Sequence, residues 1–145
     1  MLGLKIIIPA NKKYLKYIDK TIFEYLTEFN VAKTKKTHFA LHEIIINSIQ
    51  AAENCELDIE NKNIIIKLEL YTDIIKVWVI DPFGGIDHDK EEILETQKDA
   101  TKSLDSFNGR GILLIDHLVD KYEWVIKDNN DFEVYFEMNL RGSYD

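Results

Sequence analysis

The sequence predicts an α+β fold: a two-layer α/β sandwich with three main helices on one face of a mixed, mostly antiparallel sheet. Two observations carry this expectation. The elements run strand, two helices, two strands, long loop, helix, two strands. The final strand alternates Phe132, Val134, Phe136 and Met138 with Glu133, Tyr135 and Glu137, the pattern of a strand with one wet face. The 145 residues, 1–145, read as a single domain without internal repeat, low-complexity tract or Pro/Gly/Ser linker.

Leu4 to Pro9 reads as the first strand, closed by Pro9 and the Asn11-Lys12-Lys13 cluster. Leu15, Ile18, Ile22, Tyr25, Leu26 and Phe29 recur at three- and four-residue spacing, which predicts an amphipathic helix over about 12–29. Lys33 to Lys36 reads as a polar connector, with Thr34 and Thr37 as caps. A second helix follows over about Thr37 to Glu53, with Leu41, Ile44, Ile45, Ser48, Ile49 and Ala52 as its apolar stripe. Asn63 to Tyr71 and Ile74 to Asp81 form a hairpin about Thr72-Asp73. Pro82 to Asn108 is polar, with a weak helical pattern only near Glu91 to Thr96, and a long unpatterned segment in a compact domain is commonly functional or disordered. A third helix starts near Gly109, with Ile112, Ile115 and Val119 on one face. Lys121 to Lys127, the turn Asp128-Asn129-Asn130-Asp131 and the alternating strand complete the chain.

The formal net charge of −8 excludes direct nucleic-acid binding and an anionic membrane surface as main roles, since both require a basic face. It leaves open a nucleotide, which a local nest of backbone N–H groups holds. Cys55 is the single cysteine, so no intrachain disulfide forms and a reducing compartment is expected. No apolar run reaches membrane-spanning length and no signal peptide is recognisable, so the expected location is cytoplasmic.

Glu43 and Asn47 stand four apart on the second helix and interrupt an apolar segment, where a polar pair must find partners or line a cavity. Asp81 ends an apolar strand and precedes Pro82-Phe83-Gly84-Gly85. A strand-end carboxylate can accept from the exocyclic amine of adenine, and adjacent glycines let backbone approach a flat ring. Gly109-Arg110-Gly111 opens a helix whose free N–H groups and dipole suit an anion. Taken singly, each has an ordinary structural explanation: a solvated helix edge, an Asp-Pro turn, a loop-to-helix junction. His38 and His42, also four apart, lack a His-Glu-x-x-His pattern and read as ordinary polar side chains. Asp87-His88-Asp89 lacks the rest of a calcium loop. Trp78 and Trp124 read as core.

The ordered set is more specific than its parts. ALHEIIINSIQAA (Ala40 to Ala52), VWVIDPFGGID (Val77 to Asp87) and NGRGILLIDHLVD (Asn108 to Asp120) resemble the three boxes of the GHKL ATPase superfamily. That superfamily includes gyrase, the heat-shock 90 chaperones, mismatch-repair ATPases and histidine kinases, and has the Bergerat ATP-binding fold. In length, element order and the Gly-Arg-Gly-Ile-Leu-Leu-Ile-Asp-x-Leu-x-Asp ending, the chain is most similar to the stand-alone anti-sigma-factor serine/threonine kinases.

The resemblance implies ATP and Mg²⁺ as ligands. It implies Asn47 as the Mg²⁺ holder and Glu43 as the general base. Asp81 would bond the adenine amine, Gly85 would lie beneath the base, and Gly109 and Gly111 would form the phosphate-side turn. Residues 87–108 become an ATP lid in which Lys102 contacts phosphate, and Arg110 is the better placed of the two arginines to support the γ-phosphate. The implied partners are a sigma factor and a small anti-anti-sigma (STAS-type) protein, with homodimers common in the family. Two positions depart from the pattern. Phe83 stands where the glycine box usually has its first glycine, and Phe107-Asn108 replace a basic residue often found before the Gly-x-Gly turn. The alternatives are a non-catalytic GHKL-like module that binds nucleotide or a partner, and a detached histidine-kinase catalytic domain.

Overall fold

The computed structural model describes residues 1–53, 63–82, 115–129 and 131–141. Strands β1 (Leu2–Pro9), β2 (Asn63–Leu70), β3 (Ile74–Asp81), β4 (Lys121–Ile126) and β5 (Phe132–Asn139) form a sheet in the order β1-β2-β3-β5-β4. Every pairing among these strands is antiparallel, so the described sheet takes the antiparallel end of the expected range. Helices α1 (Leu15–Glu28) and α2 (Thr34–Glu53) connect β1 to the rest, and residues 115–118 are also helical.

Alternation along the strands decides which sheet face is covered. Ile64, Ile66 and Leu68 of β2, Ile75, Val77 and Val79 of β3, and Val134, Phe136 and Met138 of β5 are buried. Because side chains alternate with a period of two, these residues share one face. Against it lie Ile18, Ile22 and Leu26 of α1 and Leu41, Ile44, Ile45 and Ile49 of α2, with Ile115, in one core cluster. Fully burying each such side chain contributes on the order of 1.5–3 kcal/mol.

Two boundaries differ from the expectation. A 3-10 turn at Lys12–Tyr14, capped by the Asn11 side chain accepting from the Lys13 N–H at 3.0 Å, precedes α1. The supposed connector Lys33 to Lys36 is largely the first turn of α2, which begins at Thr34. The link is short because α1 stops abruptly. Asn30 takes a left-handed φ of 49°, the Val31 N–H donates to the Leu26 carbonyl at 2.9 Å, and the Asn30 N–H donates to the Thr27 carbonyl at 3.0 Å. Those bonds satisfy carbonyls the helix end would orphan. Lys33 also has positive φ, 62°, and its Nζ donates to the Asn139 carbonyl at 2.8 Å. That bond anchors the helix pair to the end of β5. Buried Thr37 donates its hydroxyl to the Lys33 carbonyl at 2.9 Å, so it sits inside the helix rather than capping it.

Both hairpin turns form where expected. The Tyr71 N–H donates to the Ile74 carbonyl at 2.9 Å across Thr72-Asp73. At the other turn the Asn129 side chain accepts from the Asp131 N–H at 3.0 Å.

Candidate nucleotide site

Helix α2 divides its side chains by angle. At about 100° per residue, Ser48 points toward the sheet while Glu43 and Asn47 share one flank and His38 and His42 the other. The histidine flank faces α1. The His42 ring Nδ1 lies 2.7 Å from Asp19 Oδ1, and His38 Nε2 lies 3.0 Å from the Asp19 carbonyl. Phe23 meets the His38 ring edge-on at 5.5 Å. The two histidines thus tie α2 to α1. Among the described residues no group of three or more His, Cys, Asp or Glu side chains is arranged to hold a metal.

The opposite flank carries Glu43 and Asn47, both half-buried. One turn further on, Gln50 continues their stripe, and its amide oxygen is buried without a hydrogen-bond partner. An unsatisfied buried acceptor costs about 1–3 kcal/mol, so it marks a place where a donor or hydrated cation would be stabilising. Sequence patterning missed Gln50, because a glutamine at a helix edge is ordinarily solvated.

Asp81 is 1 % exposed at the end of β3, opposite Phe132 in the ladder with β5. The buried Ser48 hydroxyl donates to Asp81 Oδ2 at 3.1 Å. Ser48 directly follows Asn47, so one bond couples the strand-end carboxylate to the helix turn bearing the polar flank. In the sequence Ser48 counts only as a small member of the apolar stripe. Its role is visible once β3 and α2 are brought together.

The structure therefore places Asp81 beside the α2 turn that carries Asn47, with Glu43 one turn before it. Phe83, Gly84, Gly85, Lys102, Gly109, Arg110, Gly111, Cys55 and the expected lid over 87–108 lie outside the described residues. Arg141 is engaged elsewhere: its guanidinium pairs with Asp73 at 2.5 Å on the β2–β3 turn and holds that carboxyl below its ordinary range. Trp124 meets Phe132 on the core side at 5.7 Å. Trp78 does not join the core. It stands on the sheet face opposite α1 and α2, 5.0 Å from the Tyr135 ring, because its neighbours Val77 and Val79 take the inward positions.

The described residues thus combine an antiparallel sheet under two helices with a buried carboxylate at a strand end, beside the helix flank that carries Glu43 and Asn47. Residues 8–135 match the sequence model of the histidine kinase-like ATPase domain. The chain belongs to that family, whose fold implies ATP binding and, at a general level, ATP-dependent phosphotransfer. No curated protein matches the chain at significant similarity. No helix among the described residues is long and apolar enough to cross a membrane.

Proposed function

We propose that this protein is an ATP-dependent protein serine kinase of the anti-sigma type. It sequesters a sigma factor and phosphorylates a serine on a small anti-anti-sigma partner, and it works in the cytoplasm. The observation that carries the nucleotide half is the Ser48–Asp81 bond beside the Glu43/Asn47 flank. The partner half rests on the sequence resemblance of the three boxes.

In this reading Asp81, which already accepts from the Ser48 hydroxyl, also accepts from the adenine amine. Asn47 supplies a neutral oxygen, the hard donor type that Mg²⁺ takes, and Gln50 offers a second one turn away. A Mg²⁺ held by these oxygens would supply neutralisation of phosphate charge, and phosphoryl transfer is chiefly positioning plus such neutralisation. Glu43 receives the proton of the attacking serine hydroxyl. Gly85, Lys102 and the Gly109-Arg110-Gly111 turn complete the proposed nucleotide contacts.

Purified protein, Mg-ATP and a candidate anti-anti-sigma domain are mixed and phosphoserine is measured. Bound ATP without transfer to any cognate partner would sink the kinase reading. Glu43→Ala is expected to abolish transfer and leave ATP binding largely intact. Phe83 in the glycine box favours the second reading, a non-catalytic module. Calorimetric titration with ATP and ADP separates the two, since millimolar or absent binding supports the module. An acid-labile product would instead identify a histidine target.

A further inference from the structure

The roles proposed for α2 run in order along the helix. Ser48 donates to Asp81, where the adenine amine binds in the kinase reading. Asn47, the residue before it, serves Mg²⁺ and phosphate. Glu43, one turn nearer the helix N-terminus, takes the serine proton. Next in that direction come Phe39 and Lys36, where the remainder of a protein substrate has to lie. At about 100° per residue, Phe39 is about 40° and Lys36 about 20° from Glu43 around the helix, so both continue its flank. Ala40 and Leu41 take the core positions beside Phe39, which leaves the Phe39 ring outside and 40 % exposed. Phe23 and Phe29, the other exposed phenylalanines of the helical layer, each meet a ring, His38 at 5.5 Å and Tyr25 at 5.3 Å. Phe39 meets no ring among the described residues. Lys36 is exposed and makes no ion pair among them.

Resting on that kinase reading, we propose that Phe39 and Lys36 select the phosphoacceptor segment, and that the accepted serine is followed or preceded by an apolar and then an acidic residue. The serine oxygen bonds to the γ-phosphorus of ATP, the bond to the ADP oxygen breaks, and the hydroxyl proton passes to Glu43. Phe39 and Lys36 touch none of these atoms and set which serine is delivered to them. At 1.5 Å per residue, Phe39 stands about 6 Å and Lys36 about 10 Å from Glu43 along the helix axis. An extended segment advances about 3.3 Å per residue and returns to the same side every second residue. The apolar residue is therefore expected about two positions from the serine and the acidic residue about four, in the same direction, within reach of the long Lys36 side chain. An exposed aromatic ring is the residue type that anchors a protein partner. The charge follows from contrast. The chain carries a formal net charge of −8, so an acidic segment is repelled in general and admitted where an exposed lysine meets it.

Initial-rate kinetics with the full chain, Mg-ATP and an anti-anti-sigma domain that accepts phosphate test the proposal, with the modified serine located by mass spectrometry. That serine is expected to carry the apolar and acidic neighbours at the stated spacing. Phe39→Ser is expected to raise KM for the domain about tenfold with kcat within about twofold of wild type, whereas Phe39→Leu keeps KM near the wild-type value. Lys36→Glu is expected to raise KM about fivefold, and a domain whose acidic neighbour is changed to lysine restores it for that variant alone. A serine without these neighbours, Phe39→Ser with wild-type KM, or a charge-exchanged pair that does not recover would each overturn the proposal and leave the kinase reading in place. Wild type that binds ATP but transfers to no domain overturns both. Circular dichroism and ATP titration of each variant verify that it folds and holds nucleotide.

Discussion

Asp81 is a buried carboxylate that accepts from the Ser48 hydroxyl at Oδ2, and that bond makes Ser48 a sensitive residue. Ser48→Ala removes the donor at Oδ2 without altering the backbone. A lost hydrogen bond to a charged group costs about 1.5–3 kcal/mol, so ATP affinity is expected to fall about tenfold or more in calorimetric titration. Asp81→Asn replaces an acceptor-only group with one that presents two donors, and is expected to weaken binding further. Unchanged affinity in both variants would show that the adenine lies elsewhere. Gln50 gives a contrasting case. Its amide oxygen is buried and unsatisfied, so Gln50→Leu should raise the apo melting temperature by removing an uncompensated acceptor. If the oxygen serves Mg²⁺ or its water, the same variant loses part of the Mg²⁺-dependent gain in ATP affinity. A stabilised protein with unaltered binding would leave Gln50 a packing residue. Asp81 and Asn47 were readable as site candidates because their residue types and places are unusual within apolar segments. Ser48 and Gln50 were not, since the signal for each is a contact or the lack of one across elements distant in sequence.

The α1–α2 junction shows how little of an element boundary is written in local pattern. Apolar spacing located both helices and all five strands to within a few residues. It did not reveal that Lys33 to Lys36 would be mostly helical, because a run of lysines and threonines carries no periodicity. What shortens the link is the left-handed turn at Asn30, and Asn is the residue, after Gly, that best tolerates that conformation. Asn30→Gly is therefore expected to retain or slightly raise stability, whereas Asn30→Val should cost about 1–2 kcal/mol in denaturant midpoint. Equal stability of the two variants would remove the backbone explanation. On the same helix pair, Asp19→Ala breaks the contact with His42 Nδ1 at 2.7 Å. A net loss of about 1 kcal/mol is expected at this half-buried site, read from urea unfolding near neutral pH. No change would mean that Phe23 and the apolar contacts alone hold α1 to α2.

At the scale of the whole molecule, the sheet sets a limit on alkaline stability. Burial pushes the Tyr122 phenol well above its ordinary value, with the nearby Asp116 charge acting in the same direction. Tyr135 is raised as well, by desolvation first and then by its hydrogen bond to Glu137 and the charges of Glu137, Glu123 and Glu69. Tyr25, whose hydroxyl donates to the Leu2 carbonyl at 3.0 Å, is raised by burial. In each case the folded protein keeps a proton that the unfolded chain releases near pH 10. Unfolding therefore releases protons above that pH, and the stability these phenols contribute is present in full below it and declines as pH rises through the folded-state values. The expected result is a neutral plateau with a steep fall in melting temperature beginning around pH 10. Tyr122 lies at the core edge of β4, beside Phe136 in the ladder, and Tyr122→Phe retains the ring while removing the ionisable group. Melting curves from pH 8 to 11 should give the variant a shallower alkaline limb than wild type. Parallel limbs would mean that Tyr122 ionises at the same pH in the folded and unfolded chain, and would shift the cause of alkaline unfolding to Tyr135 and Tyr25.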